Sequence, residues 1–111
     1  MRRPRRLYER FEVDLRVTIV SKPSDRAIEG EILNLGIGGA LLRVRAALET
    51  EIRMTFQAGG VDCVLDAYVI RREVDANDSD RARYGVEFHP NPEMEKKLKK
   101  ILQDVERRRE P

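Results

Sequence analysis

The chain has 111 residues, of which 38% are charged and 41% hydrophobic, and its formal net charge is +2. This length fits one domain with a modest core, and no apolar run of about 18 residues predicts a membrane span. The Arg-rich start lacks the apolar segment of a signal peptide. Cys63 is the single cysteine, which excludes a disulfide within the chain. A lone thiol fits a reducing compartment, so we expect a cytoplasmic protein.

The charge is unevenly distributed along the chain. Residues 1–11 carry five arginines and one glutamate, a net charge of +4. Residues 93–111 carry seven basic and five acidic groups, and the segment between these ends carries ten basic and fourteen acidic groups. The body is therefore acidic and its ends are basic, whereas nucleic-acid binders usually present a basic face over the whole domain.

Short runs in which apolar and polar residues alternate predict six β-strands. The first run alternates Val13, Leu15, Val17 and Ile19 with polar residues. The predicted strands cover residues 13–19, 27–35, 40–44, 52–57, 61 to 71 or 72, and 84–88. With turns every 8 to 15 residues and no alternation of strands with helices, the pattern favours a mainly β, antiparallel barrel or sandwich.

Two further signals define the turn and the helix that complete this pattern. Gly59 and Gly60 predict a tight hairpin between the fourth and fifth strands. Asn91 can cap a helix that begins at Pro92. The apolar face of this helix consists of Met94, Leu98, Ile101, Leu102 and Val105. We expect this face to pack on the barrel, with a homodimer through the helix as a second option.

Two segments carry the chemistry that points to a ligand. The first is Arg2-Arg3-Pro4-Arg5-Arg6-Leu7-Tyr8-Glu9-Arg10-Phe11, and the second is the turn Asn34-Leu35-Gly36-Ile37-Gly38-Gly39. Guanidinium groups bind phosphates through paired hydrogen bonds and stack on flat rings. A glycine turn lets a ligand approach the backbone closely and can expose N–H groups. Together the segments indicate a site for a flat anion such as a nucleotide.

These two segments resemble the motifs of the PilZ domain, a bacterial receptor for cyclic di-GMP. The RxxxR motif corresponds to Arg6–Arg10, and the D/N-x-S/A-x-x-G motif corresponds to Asn34–Gly39. The resemblance implies a six-stranded antiparallel β-barrel over residues 12–90, a flexible Arg-rich arm over residues 1–11 and a C-terminal helix over residues 91–109. It also implies a non-enzymatic receptor that changes conformation on binding and signals to a partner protein. The ligand-binding residues it implies are Arg5, Arg6, Arg10, Asn34, Gly36 and Gly39.

The resemblance assigns a role to each of these residues. Arg6 and Arg10 would wrap over the ligand, and Asn34 would bind a guanine edge. Gly39 would allow the backbone conformation of the turn and leave room for the ligand. Gly36 stands where the family usually has Ser and sometimes Ala; relative to a Ser whose hydroxyl binds the ligand, about 1 kcal/mol is lost, while the Gly36 N–H can still donate. Arg5 precedes the RxxxR motif, which suggests that two intercalated cyclic di-GMP molecules bind together.

Alternative interpretations remain open. The chain could be a degenerate PilZ-like interaction module that no longer binds the nucleotide, with Gly36 as the trace of that loss. The arginine run could be a solvated tail or an arm that binds RNA or DNA. We interpret Cys63 as a core residue and Arg71 and Arg72 as surface charge, and one His with one Cys predicts no metal site. No cofactor other than the ligand is expected.

Overall fold

The computed structural model describes residues 10–21, 25–74 and 80–109, with the backbone alone for residues 108 and 109. It contains six strands and one helix. These are β1 (Phe11–Ser21), β2 (Arg26–Leu35), β3 (Gly39–Val44), β4 (Glu51–Ala58), β5 (Val61–Val74), β6 (Ala82–Phe88) and α1 (Pro92–Arg109). Arg5, Arg6 and the rest of the predicted arm before Arg10 lie outside the described residues, as do residues 75–79 of the loop before β6.

The six strands form one closed barrel in the order β1-β2-β3-β6-β5-β4, and every pairing is antiparallel. This confirms the predicted mainly β barrel with a C-terminal helix and rules out the sandwich. The strands alternate as the sequence indicated, because side chains at every second position face the barrel interior. β4 shows this most clearly, since Ile52, Met54 and Phe56 are buried and the residues between them are exposed.

The barrel interior is filled by aliphatic and aromatic side chains. Ile19, Ile32 and Leu42 are fully buried there, as is Cys63, which confirms that the cysteine is a core residue. Burial raises the pKa of the Cys63 thiol because the low-dielectric interior disfavours the thiolate. Phe11 is partly buried against this core, so the start of β1 contributes to packing.

The helix packs its apolar face on the barrel, in contact with β1 and β5. Its first turn is capped by Asn91, whose Oδ1 accepts a hydrogen bond from the Met94 N–H at 2.8 Å. Leu98, Ile101 and Leu102 are buried within the same chain. The apolar face is therefore used to cover the barrel, and a homodimer through this helix stays a prediction. No helix in the described parts of the chain is long and apolar enough to cross a membrane.

The β4–β5 hairpin has the geometry that its two glycines predicted. Gly59 and Gly60 have φ values of +57° and +79°, and a type I′ turn requires positive φ at both central residues. A side chain at either position would be strained. The glycines of the β2–β3 turn do not have positive φ values, so the two glycine turns depend on glycine for different reasons.

Three strands shift register near the β2–β3 turn. The shifts fall between Glu12 and Leu15 in β1, between Ile32 and Asn34 in β2, and between Val69 and Arg71 in β5. Each shift leaves extra residues that do not follow the regular alternation of the strand. Ile70, at the β5 shift, faces outward in phase with Val64 and Tyr68, and 62% of its surface is exposed. These irregularities shape the surface around the turn.

Candidate functional site

The β2–β3 turn is held by backbone hydrogen bonds. The Gly36 N–H donates to the Gly39 carbonyl at 2.8 Å, which closes the turn on itself. The Phe88 N–H donates to the Gly38 carbonyl, also at 2.8 Å, and so ties the turn to the end of β6. In this conformation the Gly36 N–H is used within the turn, and its availability to a ligand stays a prediction.

Gly39 is required for space. A Cβ built on Gly39 would overlap the carbonyl oxygen of Val86 on the neighbouring strand β6. It would also lie 3.0 Å from Nη2 of Arg10. The φ of Gly39 is not positive, so the need for glycine here comes from the close approach of β6. The missing side chain leaves room for the β6 backbone and for Arg10, and its role toward a ligand stays a prediction.

A cavity of about 210 Å³ lies beside this turn. Its lining consists of Arg10, Gly36, Gly38, Gly39, Ile70 and Glu87. Pockets that enclose a drug-sized ligand have volumes of roughly 300–1,000 Å³. The cavity is therefore large enough for one part of a nucleotide-like ligand, such as a base, while the rest of the ligand would lie outside it.

Arg10 is the cationic group of this cavity. It directly precedes β1, is exposed to solvent, and places one guanidinium nitrogen over Gly39. Three of the predicted site residues, Arg10, Gly36 and Gly39, thus line one cavity. An exposed guanidinium beside bare glycine backbone can bind a phosphate or the edge or face of a base.

Asn34 lies close to the cavity without lining it. It pairs with Glu12 in β1 and with Leu41 in β3, next to the register shift in β2. Its Oδ1 is buried, and among the described residues no donor reaches it. Leaving a buried acceptor without a donor costs about 1–3 kcal/mol. A ligand that supplies a hydrogen-bond donor at this point would remove that cost.

Ile70 and Glu87 line the cavity and were missed by the sequence interpretation. Ile70 is an apolar residue on the outward face of β5, as Val64 is, so the sequence offered no signal that separates it from other exposed residues of this strand. Glu87 faces outward between Val86 and Phe88, directly opposite Gly39 in the β3–β6 ladder. Its pattern is that of any exposed strand residue, so only the pairing of β3 with β6 reveals its place at the cavity.

Arg71 and Arg72 are exposed, as expected of surface charge, but both make specific contacts. The Arg71 side chain lies against Gly85, 3.5 Å from where a Cβ of that glycine would be. Arg72 Nε donates to the Tyr84 hydroxyl at 3.2 Å. That hydroxyl also donates to the Ala46 carbonyl at 3.2 Å. Arg72 therefore helps to fix the connection between β3 and β4, a role that the sequence did not indicate.

A larger cavity of about 620 Å³ lies on the outer surface of β1, β2 and β3, away from the glycine turn. At its centre, Glu31 accepts hydrogen bonds from Arg43 at 3.0 Å and from Arg81 at 2.9 Å. The Arg43 hydrogen bond, aided by the charges of Arg43 and Arg81, lowers the pKa of Glu31. Glu31 already engages both of these guanidinium groups, and neither Arg10 nor the glycines of the β2–β3 turn line this cavity, so the candidate site is the smaller cavity at the turn.

Metal chemistry finds no support in the described part of the chain. No group of three or more His, Cys, Asp or Glu side chains there could hold a metal ion. His89 lies 3.8 Å from Glu87, measured between Nε2 and Oε2, and its ring packs edge-on against Tyr68 with centroids 5.5 Å apart. Cys63 is buried on the other side of the barrel wall.

The fold is that of a small closed β-barrel domain with a C-terminal helix and a cationic cavity at one turn. The PilZ domain family model matches residues 4–104, and the chain belongs to this family. No curated protein sequence matches the chain significantly.

Solved structures share the fold at low sequence identity. The PilZ domain of YcgR from Escherichia coli, determined with c-di-GMP, has a TM-score of 0.68, 18% identity and 90% coverage of both chains. The PilZ domain of CeSA from a cellulose-synthesizing bacterium has a TM-score of 0.64 at 18% identity, covering 88% of this chain and 98% of that one. The Bacillus subtilis inhibitor of motility MotI/DgrA has a TM-score of 0.70 at 18% identity. This match covers 97% of the present chain and 52% of MotI/DgrA, so the chain spans about half the length of MotI/DgrA.

Proposed function

We propose that this protein is a non-enzymatic receptor for cyclic di-GMP that acts on a partner protein in the bacterial cytoplasm. The observation that carries the proposal is the position of the Arg10 guanidinium over Gly39, in a cavity lined by bare glycine backbone. Membership of the PilZ family and the c-di-GMP complex of the structurally similar YcgR domain support the same ligand.

In the proposed mechanism, residues 1–11 close over a ligand that is held at the β2–β3 turn. Arg10 supplies one guanidinium from the start of β1, and Arg6 would add a second one four residues earlier. Asn34 would receive a donor from a guanine edge, which would satisfy its buried Oδ1. Closure of the arm would change the surface beside the turn, and that change would be read by the partner.

The proposal is tested by isothermal titration with cyclic di-GMP at moderate ionic strength. We expect saturable binding by the unaltered chain. Arg10→Ala should weaken it at least tenfold, a loss of about 1.4 kcal/mol. Arg26→Ala is the matched control, because Arg26 is an exposed arginine at the opposite end of β2, and its affinity should be unchanged. Absence of binding by the unaltered chain, or equal effects of the two substitutions, would contradict the proposal.

The stoichiometry is a separate part of the proposal. Arg5 would go with two intercalated ligand molecules per site, and the same titration measures the ratio directly. A ratio of two ligands per chain, reduced to one by Arg5→Ala, is the expected result. A ratio of one in the unaltered chain would refute the intercalated pair and leave the receptor function intact.

A second candidate function is a PilZ-type interaction module that binds no nucleotide. It is favoured by the outer face of β5, where Val64, Tyr68 and Ile70 are 50%, 40% and 62% exposed. Large apolar side chains on one exposed strand are typical of protein interaction surfaces. The titration separates the two functions, because this module would give no heat with cyclic di-GMP. Binding of RNA or DNA that rises steeply at low salt would instead favour the basic-arm alternative.

A further inference from the structure

The cavity at the glycine turn contains an acidic group as well as a cationic one. Glu87 lines it together with Arg10, Gly36, Gly38, Gly39 and Ile70. A carboxylate repels the phosphates that the guanidinium attracts. Its presence at this position therefore calls for a ligand that carries hydrogen-bond donors in addition to negative charge.

We propose that Glu87 determines base specificity by accepting hydrogen bonds from the N1–H and 2-amino groups of a guanine. This inference rests on the proposed function and names the residue that selects the base. An ionised carboxylate only accepts hydrogen bonds, and its two oxygens can take two parallel donors. Guanine offers that pair of donors on one edge, whereas adenine has an unprotonated N1 there.

The position of Glu87 suits this role. It faces outward on β6, opposite Gly39 on β3 and opposite Tyr68 on β5. Its side chain is 52% exposed, so it can keep its charge without a large desolvation cost. His89 Nε2 lies 3.8 Å from Oε2 of Glu87, which is too long for a hydrogen bond. The carboxylate oxygens are thus available to a ligand.

Arg10 and Glu87 complement each other across the cavity. Guanine carries acceptors, O6 and N7, on the edge that arginine commonly binds. Its donors lie on the adjacent edge, which a carboxylate can bind. A base between the two side chains would therefore meet a donor on one edge and an acceptor on the other. Adenine would present N1, an acceptor, to the carboxylate, and a site built around such a hydrogen bond rejects a base that lacks it.

The experiment measures the affinities of cyclic di-GMP, cyclic di-IMP and cyclic di-AMP for four proteins. Cyclic di-IMP lacks only the 2-amino group of guanine. The proteins are the unaltered chain, Glu87→Ala, Glu87→Gln and the control Glu51→Gln. Glu51 is exposed and pairs with Tyr68 from the other side, on β4, so it has similar chemistry without lining the cavity. Thermal unfolding of each variant confirms that it folds.

We expect the unaltered chain and Glu51→Gln to bind cyclic di-GMP at least tenfold more tightly than cyclic di-IMP, and cyclic di-AMP more weakly still. In Glu87→Ala the preference for cyclic di-GMP over cyclic di-IMP should fall below threefold. Glu87→Gln should also reduce it, because an amide presents a donor to one of the guanine donors.

Two results would overturn the inference in distinguishable ways. In the first, the unaltered chain binds cyclic di-GMP and both Glu87 variants change all three affinities by one common factor, which means that Glu87 acts through its charge alone. If the variants leave all three affinities unchanged, Glu87 has no role. A common increase would identify it as a source of repulsion only. If the unaltered chain binds none of the three dinucleotides, the proposed function fails and the inference fails with it.

Discussion

Gly39→Ala is the substitution that tests the geometry of the turn most directly. The added methyl group would overlap the carbonyl oxygen of Val86. An unstrained contact of carbon with a carbonyl oxygen is about 3.3 Å or longer. The backbones of β3 and β6 would therefore have to move apart at Gly39 to relieve the overlap. The overlap with Arg10 matters less, because the end of an arginine side chain can move away.

The expected cost follows from the elements that the overlap would displace. Gly39 pairs with Glu87 in the β3–β6 ladder, and the adjacent Gly38 carbonyl accepts the Phe88 N–H at 2.8 Å. Forcing extra volume into a packed site of this kind costs about 1–3 kcal/mol. A loss of 1 kcal/mol lowers the melting temperature of a chain of this size by roughly 4 °C. We therefore expect the melting temperature of Gly39→Ala to fall by about 4–12 °C.

Gly38→Ala is the matched control. A Cβ at Gly38 would have no atom of the described chain within 4 Å, and its φ is not positive. Replacing glycine by alanine at such a position stabilises by about 0.4–1 kcal/mol, because the unfolded chain loses conformational freedom. Urea unfolding of both variants by circular dichroism measures the difference. Equal midpoints for the two variants would refute the close approach of β3 to β6 at Gly39.

Three further predictions concern the core and the charged surface. Tyr84→Phe should lower the free energy of unfolding by about 1–3 kcal/mol, measured by urea unfolding, because the buried hydroxyl bonds Arg72 and the Ala46 carbonyl. The pKa of Glu31 is lowered in the folded chain. Glu31 therefore adds to the free energy of unfolding at pH values above its ordinary pKa near 4.5, and this contribution is lost as the pH falls through the folded pKa. When the free energy of unfolding is measured at falling pH, the unaltered chain should therefore lose more of it than Glu31→Gln does. The difference should be no more than about 1 kcal/mol, because the ion pair is partly exposed; equal losses would contradict the prediction. Cys63 is buried and its thiol pKa is raised, so a thiol reagent at pH 8 should label it only after unfolding, and rapid labelling of the native chain would contradict its placement.

The barrel was predictable because its signals are local. Residues 52–57 alternate strictly between apolar and polar, residues 61–69 keep apolar residues at every second position, and Gly59-Gly60 specifies the turn that joins them. Asn91 and Pro92 mark the start of the helix, which begins at Pro92. These signals depend on neighbouring residues alone, so a single sequence contains them. The prediction placed the end of β5 at residue 71 or 72, whereas the strand continues to Val74, because its pairing with β6 extends past the apolar alternation.

The cavity was only partly predictable because it depends on which strands are neighbours. Arg10, Gly36 and Gly39 lie in segments with distinct composition, and the sequence singled them out. Glu87 becomes part of the cavity only because β6 pairs with β3, and the antiparallel order of the strands does not specify that neighbour. Ile70 faces outward by the regular alternation of β5, and it lies at the cavity only because β5 pairs with β6. Both contributions arise from long-range pairing, which local patterns do not encode.

The register shifts explain how one rim of a regular barrel becomes a site. In an undistorted strand, outward side chains lie at every second position and stand at similar heights above the sheet. β5 contributes Ile70 to the outer surface beside Glu87. The β2 shift lies next to Asn34, whose buried Oδ1 is reached by no donor of the described residues. A barrel selected for stability alone would gain by removing both features, since each exposes apolar surface or leaves a polar atom unpaired. Their grouping around Gly39 supports the proposal of a ligand that covers Ile70 and donates a hydrogen bond to Asn34.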